Sequence, residues 1–156
     1  VRATIADYCH AAYGPAAGPM QRYHDRLEKI SNQIRADPQL AAKSPHAARL
    51  RRYYSEEALN ALESDISAAS KAVNGSDDPD MHASARLEMA AESVKYARLV
   101  TALLAVAHDK KSAAFIDRLA AVESFLKTKV LTPELAPLHS HRYLRMALAY
   151  AEREVE

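Results

Sequence analysis

The sequence has 156 residues, of which 21 are basic and 20 acidic, and 49% are hydrophobic, much of that fraction being alanine. That length suits one domain with one core, and a formal net charge of +1 is not the basic excess of a nucleic-acid binder. Only 3 glycines argue against a turn-rich all-β fold, and a single cysteine, Cys9, excludes an intrachain disulfide while leaving the compartment open.

Taken in chain order, the apolar spacing predicts six helical segments. The first covers Arg2–Tyr13, with Ile5, Tyr8, Cys9 and Ala12 on one face. Gly14 ends it and Pro15 suits the first turn of the next helix. The second runs from about Ala16 to Arg35, with Met20, Tyr23, Leu27, Ile30 and Ile34 as its seam. Pro19 must then lie in its first turn, since an interior proline would break the backbone ladder; if Gly18-Pro19 interrupts the helix instead, the start is near Pro19.

Asp37-Pro38 and Ser44-Pro45 mark a connection over 36–46, with a short helix from Pro45 to Tyr53. Ser55-Glu56-Glu57 has the chemistry of a capped helix start. The seam that follows is Leu59, Leu62, Ile66, Ala69 and Val73, and Asn74-Gly75 is a stop whose residues tolerate the left-handed conformation.

Pro79 opens the longest helix, to about His108. Its half beyond Tyr96 is apolar nearly all round and is expected to be the central, most buried element. Ser112 caps a further helix to about Val130, with Phe115, Leu119, Val122 and Leu126 inward. Thr132-Pro133 and Pro137 lie in another connection, and a last helix spans about Ser140–Glu154. Short links imply antiparallel neighbours. The expected fold is therefore all-α, an antiparallel bundle of five to six helices in a single domain over 1–156. No apolar run is long enough to span a bilayer. No signal peptide is visible, and the helical pattern begins at once from Val1, as in a domain excised from a larger protein.

Chemistry is sparse. The seven histidines include no HExxH pair; His139 and His141, two apart, fall on different faces of a helix, although a loop could present both, and no metal ligands are assigned. Glu56/Glu57, Asp77/Asp78 and Glu152/Glu154 sit at helix ends, where the helix dipole or solvent explains them without the sugar-flanking acids of a glycosidase. No GxSxG or phosphate-cradling loop occurs, and Cys9 reads as a small core residue. No catalytic residue and no cofactor are assigned. The densest polar–aromatic cluster is Arg49, Arg51, Arg52, Tyr53 and Tyr54. It suits a sugar, a phosphate or a neighbouring domain, but the simpler reading is a helix flank whose arginines pair with Glu56 or Glu57 while the tyrosines pack. Tyr8, Tyr13 and Tyr23 read as packing between the first two helices, with hydroxyls reaching the rim.

The most distinctive stretch is Asp7-Tyr8-Cys9-His10-Ala11-Ala12-Tyr13-Gly14-Pro15-Ala16-Ala17-Gly18-Pro19-Met20, followed by Tyr23. It resembles a segment of the bacterial glycoside-hydrolase-like family called domain of unknown function 4838. Tyr53-Tyr54-Ser55-Glu56-Glu57-Ala58-Leu59, and the region from Arg86-Leu87 to Tyr96-Ala97-Arg98-Leu99, look similar to later helices of that family. In it the helical region follows a TIM-barrel-like catalytic region that carries the candidate catalytic acids. The resemblance therefore implies a non-catalytic accessory domain that packs on a barrel of the same parent chain and shapes its glycan cleft. Expected partners are that catalytic domain and a glycan, with no nucleic acid and no membrane span. The candidate contact residues are Tyr13, Arg49, Arg51, Arg52, Tyr53 and Tyr54. The alternative reading is a stand-alone helical protein-interaction module.

Overall fold

The computed structural model describes residues 2–38, 51–75 and 81–130. The described residues are helical with tight turns and no strand, which makes the chain all-α. Its helices are α1 (Arg2–Tyr13), α2 (Ala17–Ala36), α3 (Glu56–Asn74), α4 (Met81–Ala105) and α5 (Ala113–Phe125). A 3₁₀ turn, Gly14–Ala16, joins α1 to α2, and a π-helical stretch, Leu126–Val130, extends α5. The chain divides into two compact units, Val1–Pro38 with Tyr53–Lys95, and Gln39–Arg52 with Tyr96–Glu156.

The α1–α2 corner explains its own sequence. Gly14 has φ of +48°, a left-handed value that costs any residue with a Cβ. Pro15 then fixes the next φ inside the 3₁₀ turn. Ala16 and Ala17 are buried, and the turn packs on α3; larger side chains would hold it away. Pro19 falls in the first turn of α2, where no amide is required. Arg86, from the first half of α4, donates through Nη1 to the carbonyl of Ala12 at 2.9 Å. It thereby satisfies a backbone acceptor that the end of α1 leaves without a partner.

The Ser55 hydroxyl accepts from the Ala58 amide at 3.2 Å and caps α3, with Glu56 and Glu57 in the first turn. The whole seam Leu59, Leu62, Ile66, Ala69 and Val73 is buried. The Tyr53 hydroxyl donates to Asp37 just past the C-terminal end of α2, while Arg22 and Arg26 reach Asp65 farther along α3. The two helices are therefore antiparallel. Cys9, Ala12 and Tyr13 of α1, Met20, Tyr23 and Ile30 of α2, and Ala83, Leu87 and Val94 of α4 are also buried in the first unit.

In the second unit, Leu103, Phe115, Val122, Phe125 and Leu126 form the core, with Tyr96, Leu99 and Leu119 packed against it. Tyr96 stacks on Phe125 with ring centroids 5.8 Å apart. The Ser112 hydroxyl caps α5 by accepting from the Phe115 amide and itself donates to the Asp109 carbonyl. At the far end of α5, the Thr128 hydroxyl donates to the carbonyls of Ser124 and Phe125. It competes there with the backbone amides as the ladder widens to its π register.

Three expectations need correction. Tyr8, assigned to the buried face of α1, is 51% exposed, because an edge position beside a helix corner leaves a long ring half outside. Gly75 ends α3 with φ of −89°, not in the left-handed region; its amide simply closes a last turn on the Lys71 carbonyl at 3.0 Å. The half of α4 beyond Tyr96 is not the most buried element, for its side chains are half-buried apart from Leu103. Residues 81–95 belong to the first unit and 96–105 to the second, so neither core encloses the helix. Residues 51–53 are helical, as the short helix ending at Tyr53 requires. The rest of that helix, the opening turn at Pro79 and the last helix, Ser140–Glu154, lie outside the described residues.

Candidate functional site

The α1–α2 corner gathers most of the unusual side chains of the first unit. The Tyr8 and Tyr13 rings, both on α1, meet edge to face at 6.0 Å. His24, on α2, lies 6.0 Å from Tyr8, 6.3 Å from Tyr13 and 5.4 Å from Tyr23, centroid to centroid. All but the tilted Tyr13–His24 pair are edge to face, the geometry ring quadrupoles favour, and the Tyr8–Tyr13 pair adds about 0.5–1.5 kcal/mol beyond area burial. Five residues separate Tyr8 from Tyr13, about one and a half turns of helix. Tyr13 points inward as Tyr8 stands half outside.

Burial sets the protonation states here. It pushes the Tyr13 phenol up to about 12, helped by its hydrogen bond with Tyr8 and by the charges of Tyr8, Cys9 and Tyr23. Burial raises Tyr23, with Tyr54 adding to it, and raises the Cys9 thiol, with Asp25 adding to it. His24 is pulled down by burial, which outweighs the opposing pull of Asp25. Its Nε2 is buried and has no hydrogen-bond partner among the described residues. Near neutral pH the corner thus holds protonated phenols, a protonated thiol and a neutral imidazole. None of these shifts lowers the Cys9 thiol or a phenol towards an activated nucleophile. What it offers outward is the half-exposed Tyr8 ring, steadied from behind by Tyr13 and His24.

The residues singled out from sequence differ in exposure and in their partners. Tyr13 is 5% exposed, and its ring packs inside the corner. Arg51 and Arg52 are exposed. Tyr53 is half-buried, with its hydroxyl on Asp37 Oδ2 at 2.6 Å. Tyr54 is half-buried and its phenol is raised by that burial. Arg49, the Asp77/Asp78 and Glu152/Glu154 pairs, and His139 and His141 lie outside the described residues. Glu56 and Glu57 are exposed in the first turn of α3, where the helix dipole explains them.

Sequence reading missed one arrangement. Asp65 is buried in the middle of α3, with its two carboxylate oxygens bound by Arg22 Nε at 3.0 Å and Arg26 Nε at 2.7 Å. The signal was available: Asp65 stands between Leu62 and Ile66 on the apolar stripe, and Arg22 and Arg26 are four residues apart on one face of α2. A carboxylate on such a stripe has to find cations or remain unpaired in the core.

A groove of about 190 Å³ between α3 and α4 is lined by Ser70, Val73, Asn74, Ser84, Leu87 and Glu88, among others. That is smaller than the roughly 300–1,000 Å³ of small-molecule sites. Among the described residues, no three His, Cys, Asp or Glu side chains converge as a metal-binding group. None of the described helices is long and apolar enough to cross a membrane. Comparisons with protein-family models, with curated proteins and with solved structures give no match.

Proposed function

We propose that the chain is a non-catalytic helical accessory domain of a carbohydrate-active protein, packing beside a barrel-type catalytic domain and shaping its glycan cleft. One observation carries the reading: the half-exposed Tyr8 ring, braced edge-on by buried Tyr13 and by His24. A rigid aromatic on a helix corner buries much apolar area at little cost in side-chain entropy, and its hydroxyl keeps a polar handle. It suits either a sugar face or a neighbouring domain. The corner is built on the Tyr13-Gly14-Pro15-Ala16-Ala17 turn, the segment that carries the family resemblance. The neutral, protonated state of its side chains supports a contact surface over a reaction centre.

The coding sequence upstream of Val1 tests this directly. A barrel-length region is expected there, and the helical chain should co-purify with it when the two are expressed as separate pieces. Tyr8→Ala should weaken that association. An upstream region too short for a barrel would end the proposal. The alternative, a stand-alone protein-interaction module, is favoured by Met89, which is 63% exposed on the first half of α4.

A further inference from the structure

We infer that Arg22 and Arg26 form a pre-organised binding site for a single oxyanion, a carboxylate or a phosphate group. The inference is independent of the glycan reading and rests on the charge set around Asp65. Two guanidiniums share one carboxylate, each through Nε alone, which leaves a surplus of one positive charge. The charged residues one turn away along the two helices do not cancel it. Along α3 the residues one turn from Asp65 are Ala61, Leu62, Ala68 and Ala69, none of them charged. Along α2 the residues one turn from the two arginines include one acid, Asp25, and one further base, Lys29. Asp25 acts on Cys9 and His24, on the side of α2 that meets α1.

The donors are also to hand. A guanidinium has five N–H groups in a fixed fork. Only the Nε–H of each arginine is used here, and the Nη groups make no other hydrogen bond or ion pair among the described residues. The two side chains remain 54% and 48% exposed, so those Nη groups are open to a ligand from solvent. Asp65 supplies the rest of the site. Because it is buried and fixed in the middle of α3, it holds both forks side by side, and much of the rotamer entropy of the two long chains is lost before any ligand arrives. An oxyanion on the solvent side would accept charge-assisted hydrogen bonds from both forks and neutralise the surplus.

Arginine side-chain N–H resonances followed by NMR, in titrations with inorganic phosphate and with acetate against chloride at constant ionic strength, test the inference. Saturable shifts are expected at Arg22 and Arg26 with at least one probe. The probe that saturates at the lower concentration identifies the oxyanion as phosphate or carboxylate. Arg22→Gln and Arg26→Gln should each weaken binding about tenfold. Asp65→Asn is the discriminating variant. It raises the net positive charge but frees the two forks, so a pre-organised site predicts weaker binding and a diffuse basic patch predicts tighter binding. Saturation with neither probe, unchanged affinity in the Arg22→Gln/Arg26→Gln double variant, or equal or tighter binding in Asp65→Asn overturns the inference.

Discussion

Replacing Asp65 with asparagine isolates the electrostatics of the α2–α3 contact with almost no change in volume. The carboxylate is 5% exposed, while its two arginine partners keep about half their side-chain surface in water. The two sides of the ion triad therefore respond differently to loss of the other. Asparagine keeps one acceptor but sets an amide NH₂ against a guanidinium where the second oxygen stood. One charge-assisted bond is lost and the other weakened, at about 1.5–3 kcal/mol for a full bond of this kind. The freed guanidinium recovers hydration, which limits the cost, and about 2–3 kcal/mol is expected overall.

The reverse change is worse. Arg22→Gln/Arg26→Gln strands a buried carboxylate with no cation, at about 3–5 kcal/mol. Either arginine replaced alone should cost about 1 kcal/mol, since the other continues to pair with Asp65. Urea unfolding followed by far-UV circular dichroism measures the series, with midpoints compared at matched slopes. The reasoning is refuted if Asp65→Asn costs as much as the double arginine variant, or if it costs nothing.

Three further outcomes follow from the α1–α2 corner. Gly14→Ala should destabilise by about 1–2 kcal/mol, because φ is +48° although no atom crowds the new Cβ, whereas Gly18→Ala, in helical backbone with equally open space, should stabilise by about 0.5–1 kcal/mol. Thermal melts of the two variants should move in opposite directions. The folded-state pKa of His24 lies below its ordinary 6.5, so the unfolded chain takes up its proton first as the pH falls. The stability linked to neutral His24 is whole above that value and is lost as the pH drops through it; His24→Gln should flatten this part of a stability–pH curve. Tyr13 behaves in the opposite sense. Its pKa is raised from 10.0 to about 12, so its contribution is whole below 10.0 and disappears as the pH rises towards 12. Ultraviolet titration of the native protein should show a late-ionising component that shrinks by one phenol in Tyr13→Phe.

The helices were legible in the sequence because a period of three to four records which face is buried, whatever that face is buried against. The seam from Leu59 to Val73, the Ser55 and Ser112 caps and the break at Gly14 all stand where spacing and side-chain chemistry put them. These features depend on neighbours within one turn of chain. What the period cannot record is which element faces which. Asp65 looks like an interruption of an apolar stripe until Arg22 and Arg26 arrive from another helix, more than 38 residues earlier in the chain. The second half of α4 looks like the centre of the molecule until the chain is seen to divide its helix between two cores. Tyr8 and Tyr13 look equivalent along α1, and only the placement of His24 and Tyr23 separates the buried ring from the exposed one. Local propensity and amphipathic spacing act within a few residues and fixed the helices of this protein. Pairing of charges and stacking of rings act across space, and the tertiary fold alone decided them.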